Sequence, residues 1–297
     1  MNPERPGASL SMDPAAHTAR ITLHGEELDP PTVRLLCDFL DRIESDDAIK
    51  VVTLTGDGRN LSSGWDPRAA WSMYVEAPGG ASKKVPSQRA RLIALDELWW
   101  GPRGLWSRLL HCRKVTVLGA HGTCHETGLY LTLCADLVVA SADASFANPR
   151  WSLYGVDGDV SLLIATVGLR RAKDLMFCAA QWDAAQALEI GLVDWVAADD
   201  LHAECDRVAA MCASIMRDGI VSEKYAVFAS LAKMGIAHSF AAATVVGASL
   251  TNIHFQPGEF NALREIRDRG PDGAREAGRN WLGIDRPEPD TNDKETT

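Results

Sequence analysis

Three short runs, Ile49–Thr55, Val115–Ala120 and Leu137–Ser141, are rich in β-branched residues and separated by stretches with helical spacing. Runs that are apolar almost throughout, rather than alternating, are what strands buried on both faces look like. Such strands lie side by side only when crossover helices join them, so the repeated β–α pattern predicts an α/β fold. An earlier strand is expected over Ala19–His24, which alternates in character. A helix is expected from about Pro31 to Ser45, with Val33, Leu36, Phe39, Leu40 and Ile43 on one face. The alternation runs to about residue 198, ending in Gly191–Val196, and from Leu201 the pattern is almost wholly helical and rich in Ala.

This divides the chain into a disordered leader over 1–17, a core over 18–200, a helical C-terminal region over 201–286 and a disordered tail over 287–297. Within the core, 67–108 reads as an insertion or lid. It holds a Gly- and Lys-containing tract, Ala77–Lys84, and four tryptophans, Trp71, Trp99, Trp100 and Trp106. A mobile lid, a side-wall of a pocket and an oligomer contact are the three readings of it, and the tryptophans suit a bulky or aromatic ligand as well as a filled core.

A formal net charge of -10 and a pI near 5.3 argue against an extended nucleic-acid surface, leaving only local basic pockets. The first residues have no apolar signal-peptide segment, and no apolar run approaches the roughly 20 residues of a membrane span. Neither nucleic acid nor membrane is expected as a partner. Seven scattered cysteines without a CxxC pair read as buried free thiols in a reducing compartment, hence a cytoplasmic protein. The histidines show no HExxH or HxH spacing, so no metal is predicted.

Three segments carry chemistry. In Asn60–Arg68 a Ser-Ser-Gly turn follows a strand and leaves amides facing outward, though Asp66 or Ser63 could simply cap a turn. In Ala120–Asp136 a strand meets the start of an apolar helix, where free amides favour developing negative charge. His125 and Glu126 stand at that end, where Glu126 is also ordinary capping chemistry. In Phe146–Asp159 a Pro- and Gly-punctuated loop holds Asp157 and Asp159 before an apolar helix, and either could be its N-cap.

In order, Thr53-Leu54-Thr55-Gly56 with Leu61–Asp66, His121-Gly122 with Gly128–Leu131 and Asp136–Ser141, Ala144–Pro149, Gly168–Ala172 and Asp183–Val193 resemble the successive motifs of the enoyl-CoA hydratase/isomerase, or crotonase, superfamily. The resemblance implies a crotonase-like spiral of repeated β-β-α units with a helical C-terminal region. It also implies homotrimers or homohexamers assembled through that region. Coenzyme A would be part of the substrate, with no permanently bound cofactor. Gly56-Asp57-Gly58 lacks the remaining spacing of a dinucleotide-binding motif.

Carried over from the resemblance, the amides of Trp65 and Thr127 would hold a thioester oxyanion, a device whose single donors are worth about 2.7–4 kcal/mol. Thr127 stands where the family usually has Gly. Tyr130 replaces the first hydratase glutamate, and Arg150 and Trp151 compete for the position of the second, so water addition through two glutamates is not expected. Asp159 falls where dienoyl-CoA isomerases have an aspartate and aryl-CoA dehalogenases a nucleophilic one. His125 and Glu126 replace family glycines and could shuttle protons, while His121 reads as structural. Ser63 and Arg68 are the candidate contacts to the CoA moiety, with Lys224 or Lys233 as alternatives. The leading expectation is an acyl-CoA isomerase or lyase working through an enolate. The alternatives are a CoA-independent β-diketone hydrolase using His and Asp, and a non-catalytic scaffold.

Overall fold

The computed structural model describes residues 7–65, 88–249 and 255–282. Nine strands lie among them: β1 (Ala8–Asp13), β2 (Thr18–Leu23), β3 (Val51–Gly56), β4 (Val115–Ala120), β5 (Thr123–His125), β6 (Leu137–Ala140), β7 (Ser145–Ala147), β8 (Gln181–Asp183) and β9 (Trp195–Val196). Six form one sheet in the order β1-β2-β3-β4-β6-β9, parallel except for the β1–β2 edge pair. The other three form a small sheet, β5-β7-β8.

All six residues of β3 are buried, as its unbroken apolar run requires of a central parallel strand. Val52, Leu54 and Leu118 face the main core, against Val33, Leu36, Leu40 and Ile43 of the helix Pro30–Ser45. Val51, Val117 and Val139 point the other way, onto Cys205, Val208, Ala209 and Cys212 of the helix Leu201–Ala213. The first helix starts where Asp29 accepts a 2.9 Å bond from the Thr32 amide and prolines open the first turn. The chain is therefore an α/β protein with helices on both faces of its sheet, as the strand–helix alternation predicts.

Four local expectations change. Residues 8–13 are not a disordered leader: Ala8, Leu10 and Met12 turn inward while the residues between them turn out, so the segment closes the sheet edge on β2. Its Ser-rich composition hid a period of two. The strand of the segment Ala120–Asp136 does not meet the apolar helix directly, because Thr123–His125 intervenes as a further strand paired with β7. The strand expected over 191–196 narrows to Trp195–Val196. In the insertion, residues 88–108 form a helix, Gln88–Ala94, running into a π-helical segment, Leu95–Trp100, and then a helix, Leu105–Leu110. Trp99, Trp100 and Trp106 are all buried there, which makes them a wall of the core. Residues 66–87, with Arg68, Trp71 and the tract 77–84, lie outside the described residues, as does the tail 287–297.

Beyond Leu201 the described residues are helical up to Ser249 and again over Ala262–Leu282. No single helix among the described residues is long and apolar enough to cross a membrane.

Candidate active site

The loops that follow β3 and β4 at their carboxyl ends are stitched together. Asn60 is the centre of the stitch: its Oδ1 accepts from the Thr123 amide at 2.8 Å, and its Nδ2 donates to Glu26 at 2.7 Å. The Ser62 amide bonds the Thr123 carbonyl, and the His125 amide bonds the Ser62 carbonyl. Ser62 Oγ and Thr127 Oγ1 share a buried 2.7 Å hydrogen bond. Gly64 has φ 131°, a region that glycine adopts freely, and it delivers Trp65 to the same place as Thr127.

Glu126 precedes the helix Thr127–Cys134, whose first amides have no intrahelical partner. Its backbone sits at φ 50°, ψ -101°, a conformation that costs a non-glycine residue on the order of 1–3 kcal/mol. Its side chain is almost wholly buried and lies over Gly64, where an added Cβ would come within 2.5 Å of Oε2. Arg150 Nη1 donates to that oxygen at 3.1 Å and to the Trp65 carbonyl at 3.3 Å, with the guanidinium 5.6 Å from the Trp65 ring centre. Arg150 Nε is 3.7 Å from Asp157 Oδ2, and Trp151 Nε1 donates to Asp157 Oδ1 at 2.9 Å. One guanidinium thus spans two carboxylates.

These groups rim a cavity whose other walls are aromatic. Trp65 packs edge-on against Trp99, Trp99 stacks on Trp106 at 5.1 Å, and Trp100 meets Tyr130 edge-on at 4.8 Å. Leu95, Glu126, Thr127, Asn148 and Asp157 complete the lining. Room for a water-sized group amounts to about 20 Å³, within about 340 Å³ of unfilled volume that includes the open mouth. The Tyr130 hydroxyl donates to the Asp159 carbonyl at 2.9 Å, and burial pushes its pKa well above the ordinary tyrosine value, so it stays protonated.

Residues 19–259 match the sequence profile of the enoyl-CoA hydratase/isomerase family. The chain belongs to that family. It is 32% identical over 203 residues to a probable enoyl-CoA hydratase, echA12, of Mycobacterium leprae, a match covering 67% of this chain and 66% of the relative. It is 30% identical over 162 residues to 4-chlorobenzoyl coenzyme A dehalogenase-1 of an Arthrobacter species, covering 54% of each. The chain thus spans between about half and two thirds of the length of these curated relatives. A crystal structure of an enoyl-CoA hydratase from Mycobacterium smegmatis superposes with a TM-score of 0.76 at 22% identity, over 95% of this chain and 96% of that one. The fold is the crotonase fold.

Within this member of the enoyl-CoA hydratase/isomerase family, Trp65, Glu126, Thr127 and Tyr130 meet at the cavity, and Arg150 braces it. Arg150 and Trp151, rivals for one motif position, converge on Asp157, and Arg150 alone of the two also reaches Glu126. Asp159 Oδ2 accepts from the Leu162 amide at 2.8 Å, capping the helix Ser161–Phe177, and Asp159 is not among the residues lining the cavity. His125 is not a lining residue either, and its Nε2 lies 3.3 Å from Ser145 Oγ on β7. Ser63 spends its amide and hydroxyl on the Glu26 carbonyl. Lys224 is buried against Asp136, which removes it as a phosphate contact. Asp157 and Asn148 enter the site without having been named for its chemistry, Asp157 having stood out only as one of two aspartates in a Gly-punctuated loop. Trp99 enters it as one of the tryptophans for which a pocket side-wall was one reading.

Proposed function

We propose that the chain is an acyl-CoA enzyme that polarises a thioester carbonyl at the amides of Trp65 and Thr127 and moves a proton on the adjacent carbon with Glu126. The observation that carries this reading is the strained backbone of Glu126. A family position that glycine would occupy without cost instead holds a buried carboxylate, fixed by Arg150 beside the helix N-terminus. Arg150 is the positioning residue, and Asp157 holds Arg150 from the far side. Isomerase or lyase chemistry follows from one such carboxylate, and general acid–base transfer of this kind contributes typically about 10²–10⁴-fold.

The dehalogenase relatives support a second reading, in which a carboxylate attacks the halogen-bearing ring carbon of an aryl acyl group, halide leaves, and water hydrolyses the resulting aryl–enzyme ester. Asp157, held by Trp151 and lining the cavity, suits that role better than the capped Asp159. A β-diketone hydrolase would need His125 in the cavity, and a scaffold gives no reason to keep Glu126 strained. Homotrimeric or homohexameric assembly through the C-terminal helices belongs to the same reading, because Tyr225, Val227, Met234 and Val245 are exposed along them.

Calorimetric titration with coenzyme A, acetyl-CoA, butyryl-CoA and benzoyl-CoA tests the proposal. Saturable binding of at least one thioester, weakened by Gly64→Ala, is the expected result. No binding of any thioester at millimolar concentration contradicts it. Glu126→Gln and Asp157→Asn then separate the two readings: with 4-chlorobenzoyl-CoA, chloride release and a trapped aryl–enzyme ester lost only in Asp157→Asn would favour the nucleophile.

A further inference from the structure

Among the described residues, two buried polar atoms of the cavity lack a hydrogen-bond partner: Trp99 Nε1, which can only donate, and Asn148 Oδ1, which can only accept. Their residues are 2% and 3% exposed, and both line the cavity beside Glu126 and Thr127. Native interiors pair nearly all such atoms, so a bare donor and a bare acceptor on one cavity point to a group that fills both. A carbonyl would satisfy Trp99 alone, and an N–H group Asn148 alone. A hydroxyl accepts from the first and donates to the second. The space available to a water-sized group, about 20 Å³, is the size of one oxygen centre. Nearby, Trp100 and Trp106 are apolar walls, and the Tyr130 hydroxyl is already committed to the Asp159 carbonyl.

We infer that Trp99 and Asn148 form a hydroxyl-recognition site, and that the acyl group of the substrate is a short hydroxyacyl thioester. The inference rests on the acyl-CoA reading above and sharpens it. An O–H group could also come from a single ordered water, and matched ligands distinguish the two sources. A site built to hydrogen-bond a substrate hydroxyl rejects the analogue that lacks it, whereas a water site is indifferent to the substitution.

The experiment is calorimetry with butyryl-CoA and with 2-, 3- and 4-hydroxybutyryl-CoA on the wild type, Trp99→Phe and Asn148→Leu. One hydroxylated isomer is expected to bind at least about tenfold more tightly than butyryl-CoA. The ratio of hydroxylated-isomer to butyryl-CoA affinity should collapse to near unity in both variants. Trp99→Phe keeps a ring against Trp106, and Asn148→Leu keeps the side-chain volume, so a folding failure in one leaves the other to report. If butyryl-CoA binds as tightly as every hydroxylated isomer, the two atoms hold only water and the inference is overturned, with the acyl-CoA reading intact. If no thioester binds at all, that reading falls and takes the inference with it.

Discussion

Glu126 combines three costs at one residue: a positive φ, burial, and a carboxylate pressed onto Gly64. Removing it should therefore harm stability far less than activity. In Glu126→Gly the backbone strain of about 1–3 kcal/mol is relieved, and Arg150 keeps Asp157 as a partner. The expected melting temperature is equal to or above that of the wild type, with turnover lost; a large drop in melting temperature would show Glu126 to be structural. At this scale the sequence was only partly legible. Trp65 and Thr127 could be placed because motif order locates backbone amides whatever the side chain. The resemblance put Asp159 in the chemistry, but which of Asp157 and Asp159 caps the helix stayed open, since both precede it and only three-dimensional packing decides.

The strand–turn–helix elements were readable wherever one residue pattern had one structural solution. β3 and β4 fall where their apolar runs lie, and the helix Pro30–Ser45 begins at its Asp-Pro-Pro entry. β1 was missed because a short edge strand with small polar residues has the composition of a loop, and only its partner β2 reveals its register. The helix Arg217–Lys233 docks by a device no periodicity shows. Lys224 Nζ reaches both oxygens of Asp136, at 2.5 and 2.6 Å, while Asp136 also accepts from the amide and hydroxyl of Thr116. Lys224→Met would leave that carboxylate without its cation. Because Asp136 is a quarter exposed, the expected loss is about 2 kcal/mol rather than the 3–5 of a fully buried pair, and urea unfolding measures it. An unchanged midpoint would mean that solvent screens the pair completely.

For the whole molecule, the family profile and the superposition carry the crotonase fold over nearly the full chain, and the proposed chemistry rests on a handful of positions within it. The family resemblance implies a mass in solution that is a multiple of three chains of 32.2 kDa, read by light scattering, and the apolar side chains exposed on the C-terminal helices are the surface proposed to assemble; a monomer would leave Tyr225, Met234 and Val245 unexplained. The proposed chemistry has a more direct test. Butyryl-CoA, its hydroxylated forms and acetyl-CoA can be incubated with the enzyme in deuterium oxide and followed by proton NMR at the carbon next to the thioester. The account predicts enzyme-dependent loss of that proton signal for at least one of them. In Glu126→Gln the exchange should slow by roughly 10²–10⁴-fold, with binding retained. Exchange that persists unchanged in Glu126→Gln, or binding with no exchange in the wild type for any of these thioesters, would contradict it.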